Sequence, residues 1–149
     1  MSIRYALTSF AVAALLSATP IGAHAAEHIV KMLNDNGKGG FMVFEPDFIQ
    51  AAPGDTIKFQ AVDQFHNAET LPEVWPEGAG TFKGELSKDV TLTVEKEGVY
   101  GIKCLPHFPM GMMALVLVGK PVNVSQVDAY QPPETAAKRY EALKAKLPK

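Results

Sequence analysis

The chain is poor in the residues that most often build catalytic and metal-rich sites. Its 149 residues include one cysteine, Cys104, one tryptophan and four histidines. A structural zinc site would call for more Cys or His than that. A Cys-His hydrolase would need an activated thiolate, an orienting third group and an oxyanion site, and no segment suggests the last of these. Basic residues are in slight deficit, 14 against 16 acidic, for a formal net charge of −2. That balance excludes the electrostatic footprint of a nucleic-acid binder. No internal repeat or low-complexity segment is visible, and no apolar run reaches the roughly 20 residues that a bilayer span requires.

The longest such run, Tyr5 to Leu16, follows the basic Arg4, precedes the helix-breaking Pro20 and leads to Ala23-His24-Ala25. A basic start, a short apolar stretch and a small-x-small site predict a secretory signal peptide over residues 1–25. Cleavage is expected after Ala25, with Ala26 the next candidate. The mature chain is then exported, has no membrane span and is one unit more negative than the full sequence. Export sharpens the meaning of the lone cysteine. Exported domains usually pair their cysteines, so an unpaired one must be buried or bound.

What remains reads as strands. His28–Leu33, Phe41–Phe44, Thr56–Val62, Asp89–Glu95, Val99–Cys104 and Met113–Val118 are apolar or alternate apolar with polar, and Gly, Pro, Asn and Asp punctuate the gaps. In the third of these, Ile57, Phe59 and Ala61 share one face and Lys58 and Gln60 the other. Short strands with turn signals about every ten residues predict an all-β sandwich rather than an α/β sheet. Ala68 to Gly84 is expected to be a structured loop with at most a helical turn. Beyond Gly119 the period changes. Asn123 is placed to cap a short helix, and Pro132-Pro133 opens another in which Ala136, Tyr140, Leu143 and Leu147 recur at helical spacing. The expected organisation is a β domain over 26–119 and a helical extension over 120–149 packed on it.

Between the last two strands lies Cys104-Leu-Pro-His107-Phe-Pro-Met-Gly-Met112. A thiolate, an imidazole and a thioether suit copper better than calcium or magnesium, and the spacing Cys-x2-His-x4-Met lacks only a second imidazole. Of the other mature-chain histidines, His66 ends a strongly predicted strand and can reach this loop, whereas His28 lies near the chain start. Met110 and Met113 compete with Met112; the first reads as surface and the second as core. His66, Cys104, His107 and Met112 thus form the candidate set for one type 1 copper ion.

At these residues the chain resembles the cupredoxin family of small blue-copper proteins. The matching stretches are Met42–Pro46, Pro53–Thr56, His66-Asn67 with Glu69, Pro76–Ala79, Gly98–Tyr100, Lys103-Cys104, Pro106-His107 and Met110–Met112. The likeness covers nearly the whole mature chain. Plastocyanins share the ligand spacing, so it is the helical extension that points to a particular branch. The resemblance implies a Greek-key sandwich and copper held by His66, Cys104, His107 and Met112. It also implies a soluble, monomeric, non-enzymatic shuttle of single electrons in the periplasm. Asn67 would brace the ligand loops and Met42 would pack beside the outer histidine. Redox partners, a copper nitrite reductase among them, would dock at the apolar rim around His107, steered by Lys83 and Lys103. Gln64 and Asp35 depart from that basic ring. The competing reading is a copper-storage or copper-delivery protein, which uses the same donors but wants an open, exchangeable site.

Overall fold

The computed structural model describes residues 24–148. All but the end of the segment expected to be a leader therefore lies outside the described residues. Eight strands form two four-stranded sheets: β1 (Glu27–Asp35), β2 (Phe41–Glu45), β3 (Phe48–Ala51), β4 (Thr56–Ala61), β5 (Glu69–Thr70), β6 (Val90–Thr93), β7 (Gly98–Lys103) and β8 (Met113–Val118). One sheet runs β2-β1-β4-β6 and the other β3-β8-β7-β5. The β1–β4 and β3–β8 pairs are parallel, and the remaining pairs are antiparallel. The expected sandwich is what the chain forms. The segment after Ala68 contributes a two-residue strand rather than a helical turn, and β1 continues two residues beyond Leu33.

Alternation explains how the sheets meet. Val30 and Met32 of β1 and Ile57 and Phe59 of β4 face Tyr100 and Ile102 of β7 and Ala114 and Val116 of β8 in one buried cluster. Phe59 stacks on Phe82 at 5.7 Å and meets Phe44 edge-on at 5.6 Å. The opposite face of the second sheet is covered as well. Val99, Met113, Leu115 and Leu117 pack against Val127, Ala136, Tyr140 and Leu143. These come from α1 (Val124–Ala129) and α2 (Glu134–Lys144). Covered on both sides, β8 is buried throughout, which is why Met113–Val118 has no polar residue. Each such large side chain contributes about 1.5–3 kcal/mol when fully buried.

Asn123 precedes α1 as expected but makes no side-chain cap. Its amide instead pairs with Val99, accepting from the backbone N–H at 2.7 Å and donating to the C=O at 3.0 Å. An amide that can donate and accept at once satisfies both backbone polar groups of one β7 residue, which a helix cap would not.

The turn expected at Pro53–Asp55 closes through Asp55. Its carboxylate accepts from the N–H groups of Ala52 at 2.9 Å and Ala26 at 2.8 Å, and lies 2.9 Å from His28 Nε2. Those contacts, Ala52 first and then His28 and Ala26, hold the Asp55 carboxyl down to about 2 from an ordinary 3.8. A folded value below the unfolded one gives stability that is complete above the unfolded value and disappears as pH falls through the folded one. Urea unfolding should therefore find Asp55→Asn less stable than the parent at pH 7. The gap should narrow as pH drops from about 4 toward about 2, where the parent loses the same charge. A gap independent of pH would refute this account.

Candidate metal centre

Cys104 follows the end of β7 and Met112 precedes β8, so the stretch between them is the whole connection of one hairpin. Its ends are tied together. Cys104 N–H donates to Met112 C=O at 3.1 Å, and His107 C=O accepts from Met112 N–H at 3.1 Å. Phe108–Met110 make one turn of 3-10 helix, closed by Gly111 with φ of 86°. Only glycine suits that position. The conformation is left-handed, and a Cβ would lie 3.0 Å from the Thr135 carbonyl oxygen.

His66 arrives from the other sheet, on the segment leaving β4. Its C=O accepts from Ser87 N–H at 2.7 Å, and Phe65 N–H donates to Ser87 Oγ at 2.8 Å. Phe65 itself is left-handed, with φ of 67°. The fully buried His66 ring then points Nδ1 at the hairpin. Cys104 Sγ lies 3.7 Å from His66 Nδ1 and 3.6 Å from His107 Nδ1, and the two nitrogens are 3.0 Å apart. A triangle with those three sides has its centre about 2.0 Å from each corner. That matches the roughly 2.0–2.3 Å bonds of a first-row metal to imidazole and thiolate.

The protonation pattern fits a metal too. His66 Nε2 is 2.9 Å from Asn34 Oδ1. An amide oxygen only accepts, so Nε2 carries the proton and Nδ1 presents a lone pair to the cluster. Burial, aided by the neighbouring His107, pulls the His66 imidazole below its usual range and keeps it neutral. Burial likewise pushes the Cys104 thiol up, against the opposing pull of the backbone N–H groups of Asn67 and His107.

The four residues expected at the site have distinct places. His66 and Cys104 are buried, His107 is half-exposed, and Met112 is fully buried in the same core cluster as Cys104. Met113 belongs to the other cluster, against the helices, and Met110 is exposed. The competing methionines therefore face away from Cys104's side of the sheet or into solvent. His28 is engaged with Asp55. Among the described residues, His66, Cys104 and His107 form the group of His, Cys and acidic side chains able to share an ion.

Asn67 braces the two loops. Its Oδ1 accepts from Leu105 N–H at 2.7 Å, and its Nδ2 donates to Gly84 C=O at 3.2 Å and Glu69 Oε2 at 3.1 Å. Asn34 was not among the residues expected at the site, because Asn34-Asp-Asn-Gly reads as a turn. Strand parity carried the signal: Asn34 follows Val30 and Met32 on the core-facing side of β1. Of the two expected steering lysines, Lys103 is paired with Glu69 at 3.6 Å and sits 5.7 Å from the Phe108 ring centroid. Lys83 is exposed and belongs to none of the ion pairs among the described residues.

Replacing Asn67 with Ala strands a part-buried N–H and a buried C=O. Urea unfolding of the metal-free protein should show a loss of about 2–4 kcal/mol. A loss below about 0.5 kcal/mol, the level of an ordinary surface substitution, would contradict the bracing role.

Comparison with known proteins agrees with this arrangement. The model of the copper binding proteins, plastocyanin/azurin family, matches residues 30–119. A pseudoazurin of Paracoccus pantotrophus is 45% identical over 138 residues, covering 92% of this chain and 94% of its own. One of Methylorubrum extorquens is 43% identical over 148 residues, covering 99% of each. The crystal structure of native pseudoazurin from Hyphomicrobium denitrificans superposes with a TM-score of 0.80 at 49% identity, over 83% of this chain and 99% of that one. A two-sheet fold, a thiolate–imidazole triangle of copper size and these likenesses converge. The chain belongs to the plastocyanin/azurin family of copper-binding proteins, and within it to the pseudoazurins.

Proposed function

We propose that the protein is a type 1 copper electron carrier of the periplasm, with His66, Cys104, His107 and Met112 as the ligands of one ion. The observation that carries this reading is the Nδ1–Nδ1–Sγ triangle, built on two sheets and opening outward only at His107. Copper bound there supplies a one-electron Cu(II)/Cu(I) couple. The chain's own part is to hold the donors still. Asn34 fixes the His66 tautomer and Asn67 ties the two loops. Cys104 gives up its proton to bind, so that loading releases it. A hairpin zipped at both ends resists the geometry change between oxidation states.

His107 is the exit. It is half-exposed among exposed Leu105, Pro106, Pro109 and Met110. Beside it lies an open hollow of about 600 Å³ whose lining includes Leu86, Leu105, Pro106 and Lys83. A mostly apolar rim with few charges favours short-lived docking, while a cationic edge raises encounter rate. A denitrification enzyme such as a copper nitrite reductase is the proposed electron acceptor. The protein acts as a monomer and performs no chemistry of its own. Residues 1–25 are its cleaved leader, 26–119 the copper domain and 120–149 an extension packed upon it. No helix among the described residues is long and apolar enough to cross a membrane. Copper delivery would need an exchangeable site, which a buried Cys104 and His66 do not favour.

Adding Cu(II) to the mature protein should give an intense visible band that disappears in Cys104→Ser and bleaches with one electron per chain. A colourless complex, or a band surviving Cys104→Ser, would sink the proposal. Retention of copper on mixing with an apo-acceptor separates a carrier from a delivery protein; rapid transfer would favour the latter. Lys83→Gln should slow reduction of a purified copper nitrite reductase several-fold at about 10 mM ionic strength and hardly at all near 0.5 M. Lys103→Gln, whose charge Glu69 already offsets, should have the smaller effect. Equal rates at low salt would rule out steering by Lys83.

A further inference from the structure

We propose that Arg139 is a positioning residue for the copper loop, so that the C-terminal helix helps set the metal site as well as covering the sheet. The inference rests on the carrier reading above. Thr135, Ala136 and Arg139 share one face of α2, and all three meet the hairpin between Cys104 and Met112 or its neighbour. Thr135 Oγ1 donates to Pro109 C=O. Gly111 packs so close to Ala136 that a Cβ there would lie 3.1 Å from the Ala136 Cα. Arg139 Nη1 donates to Gly111 C=O and, at 3.0 Å, to Met42 C=O, while Nη2 reaches Phe41 C=O at 3.3 Å.

The Gly111 carbonyl is a consequential target. It belongs to the same planar peptide unit as Met112 N–H, which donates to His107 C=O. A peptide plane gripped at both its oxygen and its nitrogen cannot rotate. Arg139 thus fixes the orientation at which the chain enters Met112, while the plane's other edge is fastened to His107. The same guanidinium holds Met42, a left-handed non-glycine residue with φ of 48°. Such a conformation persists only where the surroundings impose it. One side chain therefore ties the hairpin bearing Cys104, His107 and Met112 to the start of β2.

Docking the helix does not by itself explain a cation here. Arg139 is in none of the ion pairs among the described residues. Burial also works against its charge, pulling the guanidinium below its usual range. An apolar residue would join Ala136, Tyr140 and Leu143 in the core without that cost. A planar fork of donors is needed where several carbonyls converge, and lysine, a point charge, cannot reproduce it.

Amide hydrogen exchange on the metal-free protein tests this. In Arg139→Met the Met112 amide should exchange about tenfold faster or more, the effect of losing a hydrogen bond from a charged donor. The amides of Val30 and Phe59, in the far sheet, should change much less. If Arg139→Met fails to fold, Arg139→Lys keeps charge and length without the fork and should show the same local pattern. In the copper-loaded variant, release of copper to a chelator should quicken in parallel. Unchanged protection at Met112, or acceleration no greater than at Phe59, would overturn the proposal and leave Arg139 a stability residue alone. Because exchange is read without metal, failure here would leave the blue colour intact. A colourless protein would conversely leave the exchange result standing.

Discussion

Three electron-rich atoms held within 4 Å of one another, with water largely excluded, are the constraint on which this end of the molecule depends. Two imidazole nitrogens 3.0 Å apart and a sulfur beside both are costly to hold together: all three must turn lone pairs to one point when a metal binds, and burial strips their solvent. Such a cluster survives only if its supports over-determine it. Asn34 behind His66, Asn67 between the loops and the doubly tied hairpin supply that support. Asn67 in particular is buried, so that losing its amide would leave partners on both loops unsatisfied.

The sandwich supplies the rigidity beneath. The His66 segment leaves one sheet and the Cys104 hairpin belongs to the other, so the donors meet where the two sheets come together. The core cluster that contains Cys104 and Met112 also contains Phe59, Tyr100 and Ile102. Any shift of the hairpin must disturb close-packed side chains, which do not yield continuously. For a centre that exchanges one electron, small motion between oxidation states is the useful property. Copper's two states prefer different geometries, and a scaffold that allows neither to relax fully keeps the reorganisation small.

At the surface the demands reverse. The rim around His107 is apolar and weakly charged, and Lys103 has its charge offset by Glu69. A partner there would be met by desolvation of a modest patch rather than by many ion pairs, an arrangement suited to quick release. The tight interior and the loose exterior are separated by little more than the half-exposed His107 ring.

Local pattern determined much of this. The alternation of Ile57 and Phe59 with Lys58 and Gln60, the apolar β8 and the helical spacing of Ala136, Tyr140 and Leu143 each follow from covalent periodicity, so the sandwich and its extension were legible. The Cys104–Met112 spacing was legible for the same reason: one short hairpin brings those donors together whatever the rest of the chain does. The preference for His66 over His28 rested on a strand end, and that for Met112 over Met113 on the Cys-x2-His-x4-Met spacing. Other features depended on contacts across the fold. Asn34 looks like a turn residue until β1 is seen to continue and place it behind His66. Asn123 looks like a helix cap until Val99 is seen to claim both ends of its amide. Arg139 is one more cation on a polar helix face until three backbone carbonyls close around it. A side chain's periodicity is fixed by its own segment. What a polar group bonds to depends on which distant backbone groups packing leaves unsatisfied beside it, and that only the tertiary structure decides.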